Sequence, residues 1–208
     1  METNFNHKNG INKEIIGNYY DKYHSNNIIE RFLVNMYRIV LKRTISKLRV
    51  SSIYEVGSGE GQIVKYVREL SDKTFIVGSD IEFNLLRSNK ELEINIEWIV
   101  NSAYGLPIKP EFFDLVLACE VLEHLQDPEL FLQNCILLKA KYYLFTIPNE
   151  PLWRMLNMLR LKYIGNFGNT PGHVNHWCKA SFERLISQYF EIISSFYCQP
   201  WVFVLAKI

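Results

Sequence analysis

The chain has 208 residues, a length that fits one domain and is enough to bury a substantial hydrophobic core. Hydrophobic residues make up 48% and charged residues 22% of the sequence, which is ordinary for a soluble globular protein. The 23 Lys and Arg residues against 22 Asp and Glu residues give a net charge of +1. That balance provides no overall field for attracting nucleic acid or an anionic membrane.

The cysteines and the start of the chain exclude further classes. Cys119, Cys135, Cys178 and Cys198 form no CxxC pair, so a zinc ribbon or a thioredoxin-like site has no support. The start lacks the basic-then-apolar pattern of a signal peptide, and no apolar run approaches the ~18 residues of a membrane span. We therefore expect a cytoplasmic protein without a membrane span.

Residues 1–48 predict a helical N-terminal cap. A short helix is expected around Glu14–Tyr23, and apolar residues at helical spacing predict a longer amphipathic helix over Ile28–Leu48. We expect residues 49–208 to form one further unit, without a linker that would separate two domains.

In this second unit, short apolar strands alternate with helices. The predicted strands are Ile53–Val56, Phe75–Val77, Ile96–Val100, Phe113–Ala118 and Tyr142–Ile147. The predicted helices are Ile63–Leu70, Phe83–Lys90 and Pro128–Leu138. This order indicates an α/β fold with a parallel sheet that helices cover on both faces.

The C-terminal part has a different pattern. A lid insertion is expected at about residues 149–178, where the apolar segment Pro151–Phe167 predicts a lid helix, a homodimer surface or a wall for a hydrophobic acceptor. After a helix at Lys179–Gln188, the strands Phe190–Phe196 and Trp201–Ala206 predict an antiparallel hairpin that closes the parallel sheet.

A glycine-rich loop directly follows the first strand. Gly57, Gly59 and Gly61 are alternate residues, and glycine there permits a tight turn and close approach of a ligand to the backbone. A dinucleotide fingerprint would need glycine at Gln62, so an NAD enzyme is disfavoured. Asp80 ends the second strand about 20 residues later, where its carboxylate can accept hydrogen bonds from both ribose hydroxyls. The alternative for Asp80 is the N-cap of the next helix.

These motifs, together with Leu106-Pro107 and Phe113-Asp114, resemble those of class I S-adenosylmethionine-dependent methyltransferases over residues 50–148. The resemblance implies a Rossmann-like three-layer sandwich with a seven-stranded, mostly parallel sheet that ends in the antiparallel hairpin. It implies S-adenosylmethionine as the cofactor and S-adenosylhomocysteine as the product. The cofactor-binding residues that it assigns are Glu55, Gly57, Ser58, Gly59, Gly61, Asp80, Ile81, Asn101, Ser102, Ala103 and Cys119.

Two of these positions carry specific expectations. The resemblance places Glu55 near the amino group of the methionine moiety. Ser102 departs from the family pattern, since the family commonly has an acid there that binds the adenine amino group. Asn101 or Ser102 would bind adenine less strongly than a carboxylate does, and backbone groups with Ile81 are the alternative.

Candidate catalytic residues follow the fourth strand and recur in the late loop. Glu120, Glu123 and His124 share one face if the segment is helical, and two carboxylates with an imidazole can bind Mg²⁺ or Mn²⁺. With a later histidine, they resemble the metal site of small-RNA 3′-terminal 2′-O-methyltransferases and of ubiquinone-biosynthesis O-methyltransferases. His173 and His176 are candidates for that histidine or for a general base. We expect a site without metal, because Glu-His-Leu recurs at this point in methyltransferases that need none.

The sequence therefore predicts a methyltransferase, closest in layout to ubiquinone-type and other small-molecule enzymes, with O-methylation favoured. One alternative is a metal-assisted RNA 3′-end 2′-O-methyltransferase, which the near-neutral charge disfavours. Another is a protein that binds the cofactor without turnover. The expected partner is a small-molecule acceptor rather than nucleic acid.

Overall fold

The computed structural model describes residues 27–90, 95–161 and 163–208. The helix expected around Glu14–Tyr23 lies outside these residues. The helices are α1 Ile28–Ser46, α2 Gln62–Arg68, α3 Phe83–Lys90, α4 Pro128–Leu137, α5 Glu150–Leu159 and α6 Lys179–Ile186. The strands are β1 Ser52–Val56, β2 Phe75–Asp80, β3 Glu97–Val100, β4 Leu115–Cys119, β5 Tyr142–Pro148, β6 Glu191–Cys198 and β7 Trp201–Lys207.

The strands form a seven-stranded sheet in the order β3-β2-β1-β4-β5-β7-β6. The first five strands are parallel, and β7 pairs antiparallel with both β5 and β6. The chain reverses its direction of winding between β3 and β4, on either side of β1. Such a switch point opens a crevice at the carboxyl ends of the strands, where ligands bind in open α/β sheets.

Helices cover both faces of the sheet, because the side chains of the central strands are apolar on both sides. Leu115 and Leu117 of β4 pack in one buried cluster with α1 and α2. Val116 and Ala118, which point the other way, pack in a second cluster with α4 and α6. The result is the predicted three-layer sandwich. Among the described helices, none is long and apolar enough to cross a membrane.

The predicted fold class is confirmed, and several strand ends differ from the predicted ones by one to three residues, most clearly in β2 and β4. Strand β2 continues to Asp80, because its last residues pair with β3 although they are polar. Strand β4 begins at Leu115 rather than at Phe113. The intervening Asp114 joins the strands through its side chain, which accepts hydrogen bonds from the backbone N–H and the hydroxyl of Ser51 at 2.7 Å.

Candidate functional site

The carboxyl ends of β2, β1, β4 and β5 lie side by side. They bring one loop and three acidic residues to the same edge of the sheet. In sheet order they are Asp80, the glycine loop, Glu120 and Glu150. The glycine loop touches the segment after β4 directly, since a Cβ on Gly57 would lie 2.7 Å from Cγ2 of Val121. The glycine loop and the segment after β4 are therefore adjacent parts of one candidate site.

The glycine loop has the geometry that its spacing predicts. Gly57, Gly59 and Gly61 all have positive φ values, between 51° and 71°, which favour glycine. A Cβ on Gly61 would lie 2.5 Å from the ring of Trp98, so this glycine is fixed by packing. At Gly59 the corresponding space is open, since no atom of the described residues lies within 4 Å apart from those of its chain neighbours. The loop thus leaves room at Gly59 for a ligand to approach the backbone.

Asp80 lies directly beside this open space. Its Oδ2 accepts a hydrogen bond from the N–H of Gly59 at 2.8 Å, and its Oδ1 accepts one from the N–H of Glu82 at 2.9 Å. The second bond is an Asx turn just before α3. Because α3 begins at Phe83, the N-cap position is Glu82, and Asp80 does not cap the helix itself. Each carboxylate oxygen retains capacity to accept a further hydrogen bond, as a ribose diol requires.

Glu55 and Ser58 are buried at the base of the loop. Burial raises the pKa of Glu55 well above its usual range, and the nearby Asp80 carboxylate adds to this rise, although a hydrogen bond from the backbone of Val64 opposes it. Oε2 of Glu55 and Oγ of Ser58 have no hydrogen-bond partner among the described residues. A cationic ligand in the loop would offset the electrostatic cost of the Glu55 carboxylate.

The segment after β3 forms a local turn. Oγ of Ser102 accepts a hydrogen bond from the N–H of Tyr104 at 3.2 Å, and Nδ2 of Asn101 donates to the carbonyl of Ser102 at 2.7 Å. The hydroxyl proton of Ser102 is therefore still available for a ligand. Ala103 packs against the core, while Ile81 on the neighbouring loop is exposed and offers an apolar surface.

Glu120 does not share a helical face with Glu123 and His124, so the arrangement expected for a helical segment is not found. Glu120 has a φ of +57°, and the short 3-10 helix begins only at Leu122. The backbone N–H of Glu120 continues the pairing with β5 by donating to Thr146. Its carboxylate accepts a hydrogen bond from Nε1 of Trp201 at 2.7 Å, at the start of β7. The buried Cys119 ends β4 just before this turn.

Glu123, His124 and His173 form a compact cluster. One ligand-type atom from each of the three side chains lies within 4.8 Å of the others. The rings of His124 and His173 are 4.9 Å apart and nearly perpendicular. The late loop is fastened to this cluster, because the N–H groups of Val174 and Asn175 donate to the carbonyl of Glu123. The structure thus places Glu123 and His124 next to the late His173.

Glu150 is the acidic residue that contacts His173. Its Oε1 lies 2.6 Å from Nδ1 of His173 and 3.5 Å from Nδ1 of His176. The side chains of Glu150 and His173 are only 4% and 7% exposed, whereas that of His176 is 35% exposed. His176 is not part of the cluster, although its Nδ1 lies near the same oxygen of Glu150.

A pocket, here called the edge pocket, opens beside the cluster. Its polar lining includes Glu120, Glu123, His124 and His173. Its walls are mainly apolar and come from α1, α5 and the turn before β7, with Leu33, Val34, Trp153, Leu156, Pro200 and Trp201 among them. The lining also includes the ion pair of Glu30 and Arg160, whose charged atoms are 2.6 Å apart.

Hydrogen bonds hold the α5 side of the pocket together. Asn157 accepts from Arg160 at 2.7 Å and donates to Thr170 at 3.2 Å, and Thr170 accepts from Nε1 of Trp153 at 2.9 Å. Gly168, in the loop between, has a φ of +76° and lies directly against the carbonyl of Arg154. The segment predicted as a lid is therefore a folded wall of the edge pocket in the described residues.

Sequence reasoning missed Glu30, Glu150, Arg160 and Trp201, whereas Trp153 lies in the apolar segment for which an acceptor wall was one expectation. Glu150 carried a usable signal, because it directly follows the carboxyl end of a predicted strand, as Glu120 does. The others have no such signal, since their partners lie far away in the sequence.

Comparison with known proteins agrees with this geometry. A family model described as a methyltransferase domain matches residues 54–138. No curated protein matches the chain.

Solved structures share the fold at low identity. The PH0226 protein from Pyrococcus horikoshii OT3 is 17% identical with a TM-score of 0.66, over 91% of this chain and 94% of that chain. The plantazolicin methyltransferase BpumL, in complex with a triazolic desmethylPZN analog and SAH, is 14% identical with a TM-score of 0.68, over 89% and 88%. The methyltransferase domain of bacterial CtHen1 is 15% identical with a TM-score of 0.67, over 85% and 100%.

Proposed function

We propose that the chain is a class I S-adenosylmethionine-dependent methyltransferase and that it methylates a hydroxyl group of a small-molecule acceptor bound in the edge pocket. The observation that carries the proposal is that the Glu123, His124 and His173 cluster lines a mainly apolar pocket. Glu120 lines the same pocket and follows the strand beside the glycine loop, so the pocket adjoins the cofactor-binding edge.

The charge of the edge pocket favours a neutral acceptor over nucleic acid. Its described lining carries three carboxylates, from Glu30, Glu120 and Glu123, and one guanidinium, from Arg160. With neutral histidines the lining is net negative, which repels phosphate groups. The apolar walls fit the hydrocarbon part of a small molecule, whose burial supplies binding free energy.

For the cofactor side, the open space at Gly59 and the orphaned oxygens of Glu55 and Ser58 fit a ligand that is both polar and cationic. When bound, S-adenosylmethionine supplies an electrophilic methyl group on a sulfonium. Asp80 would bind the ribose hydroxyls, Ser102 and Ile81 would contact adenine, and Glu55 would face the amino end. Gly57, Gly61, Asn101, Ala103 and Cys119 would shape the rest of this surface.

For the acceptor side, the protein's contribution is alignment and proton removal. The bound cofactor would supply the methyl group to the acceptor oxygen and would leave as S-adenosylhomocysteine. The hydroxyl proton passes to an imidazole of the cluster, His173 or His124, which is a base of suitable strength near neutral pH. The pocket walls exclude water and hold the acceptor at reactive distance.

The cofactor assignment predicts a specific loss of binding in Asp80→Ala. The substitution removes charge-assisted hydrogen bonds to ribose, so the affinity for S-adenosylhomocysteine should fall by about 1–3 kcal/mol, measured by titration calorimetry. Asp72→Ala, which removes an exposed carboxylate after α2, is the matched control and should bind like the wild type. Tight binding of NAD with no heat from S-adenosylhomocysteine would contradict the assignment.

The acceptor assignment is tested with catechol, aniline and benzoate, which share a ring and differ in the polar group. With S-adenosylmethionine present, catechol should yield S-adenosylhomocysteine, and the other two should not. His173→Asn should lower that turnover by about 100-fold or more without changing cofactor affinity. Glu129→Gln on α4 is the control and should keep full turnover. Methylation of aniline in preference to catechol would overturn the choice of oxygen.

Metal-assisted transfer to the hydroxyl is the second candidate, and the compact Glu123, His124 and His173 cluster is the observation that favours it. One carboxylate and two imidazoles suit a divalent first-row cation. Such an ion would lower the pKa of the acceptor hydroxyl. Glu120 is not part of the cluster, so Trp201 rather than a cation accounts for the position of its carboxylate.

The two candidates differ in their response to chelation. A metal-free site predicts that the cofactor-bound protein takes up no stoichiometric Mn²⁺ in calorimetry and that EDTA leaves turnover unchanged. A metal site predicts uptake of one ion, loss of turnover with EDTA, and recovery with Mg²⁺ or Mn²⁺. In that case Glu123→Gln should abolish the uptake, because a site with three protein ligands cannot lose one.

A further inference from the structure

Glu150 is a buried carboxylate that contacts two histidines. Its Oε1 is 2.6 Å from Nδ1 of His173 and 3.5 Å from Nδ1 of His176. Its Oε2 is buried and has no hydrogen-bond partner in the part of the chain that the structure describes. The close contact with His173 is therefore the main interaction of this side chain.

The contact determines where the proton of His173 lies. An ionised carboxylate can only accept hydrogen bonds, so Nδ1 of His173 must carry the proton in a neutral ring. The same holds for His124, whose Nδ1 is 3.0 Å from the carbonyl oxygen of Gly172, which also can only accept. Both rings then have the unprotonated nitrogen at Nε2.

We propose that Glu150 is the positioning residue of the active site: it holds His173 in the tautomer that leaves the Nε2 lone pair for the edge pocket. This rests on the proposed function, in which His173 takes up the hydroxyl proton of the acceptor. The neutral His124 ring, whose centroid is 4.9 Å away, has the same tautomer through its contact with Gly172. The opposite tautomer would direct an N–H into the pocket and could not accept a proton.

The backbone around Glu150 connects the contact between Glu150 and His173 to the wall of the edge pocket. Glu150 is the first residue of α5, and its N–H donates to the carbonyl of Trp177 at 3.2 Å. One turn further along α5, Trp153 lines the edge pocket. A displacement of α5 would therefore move the pocket wall and release the Nδ1 proton of His173 at the same time.

Nuclear magnetic resonance of protein labelled with ¹⁵N-histidine tests the proposal without an acceptor. The chain has five histidines, and His173→Asn identifies the signal of interest. At about pH 8, where a free imidazole is neutral, the wild type should show His173 protonated at Nδ1 and unprotonated at Nε2. A wild-type spectrum with the proton on Nε2, or on both nitrogens, would overturn the proposal, whatever the variants do.

Substitution of Glu150 then tests the cause. Glu150→Met keeps the volume and removes the acceptor, so the tautomer ratio of His173 should shift towards Nε2–H by roughly tenfold or more. Glu191→Met, which removes an exposed carboxylate from β6, should leave the ratio unchanged. An unchanged ratio in folded Glu150→Met would overturn the proposal. If that variant does not fold, Glu150→Gln takes its place, with a smaller shift in the same direction expected and no shift counting against the proposal.

Kinetic measurements show whether Glu150 positions His173 or only supports the fold. Calorimetry shows whether a failure concerns the role of Glu150 or the proposed methyltransferase function. With catechol, folded Glu150→Met should lower kcat by about tenfold, with KM and the affinity for S-adenosylhomocysteine close to wild type. A rise in KM alone would contradict positioning. A wild type that fails to bind S-adenosylhomocysteine would remove the proposed function and leave the tautomer result standing.

Discussion

Gly168→Ala should open the wall of the edge pocket between α5 and the late loop. The residue has a φ of +76°, and a Cβ there would lie 2.2 Å from the carbonyl oxygen of Arg154 and 2.9 Å from its carbonyl carbon. Since the clash is with backbone, no rotamer change relieves it. We expect a local destabilisation of about 3 kcal/mol from the strained φ and the forced displacement together. Amide hydrogen exchange of residues 163–173 should accelerate by about 100-fold.

The control for this prediction lies in the same segment. A Cβ on Gly165 would meet no atom within 4 Å, so Gly165→Ala should leave the exchange rates close to wild type. If both variants exchange at the wild-type rate, the contact of Gly168 with Arg154 does not hold this wall in place.

Of the substitutions described, Trp201→Ala should cause the largest loss in the free energy of global unfolding. The indole is 2% exposed and packs edge-on against Tyr37, with ring centroids 5.0 Å apart. Removing a buried indole costs about 3–5 kcal/mol, because the surrounding side chains only partly fill the cavity. Nε1 also donates to the carboxylate of Glu120, and that hydrogen bond is lost at the same time. Urea denaturation followed by circular dichroism measures the difference.

Trp201→Phe separates the two contributions. The phenyl ring keeps most of the packing and removes only the hydrogen bond to Glu120, so the loss should be about 1–3 kcal/mol. Equal losses in the alanine and phenylalanine variants would show that the hydrogen bond, and not the packing, dominates the role of Trp201.

The fold could be predicted because its signals are local. Short apolar runs separated by glycine and helix patterns indicate buried parallel strands wherever they lie in the sheet. The same holds for the glycine loop and Asp80, which the ends of two adjacent strands bring together. The sequence could not show that Glu120 has a left-handed backbone, because a positive φ is uncommon for a glutamate and no local residue pattern marks it.

The pocket residues that sequence reasoning missed depend on tertiary contacts. Glu30 and Arg160 are 130 positions apart, and a helical pattern describes each of them only as a polar residue on an amphipathic helix. His176 is the opposite case, a residue that the sequence pattern predicted as catalytic. Its ring does not line the edge pocket. Spacing alone could not distinguish it from His173, because the difference arises from which ring faces Glu123.

The position of β7 has a consequence for synthesis. This strand is the last one in chain order, but it lies inside the sheet between β5 and β6 and is buried along nearly all of its length. On the ribosome, β5 therefore emerges long before the strand that covers its edge. Until β7 arrives, the nascent protein exposes an apolar strand with unpaired backbone groups, which is the kind of surface that aggregates or recruits chaperones. Rapid completion of the chain matters more for this topology than for a sheet whose strands pair in the order of their synthesis.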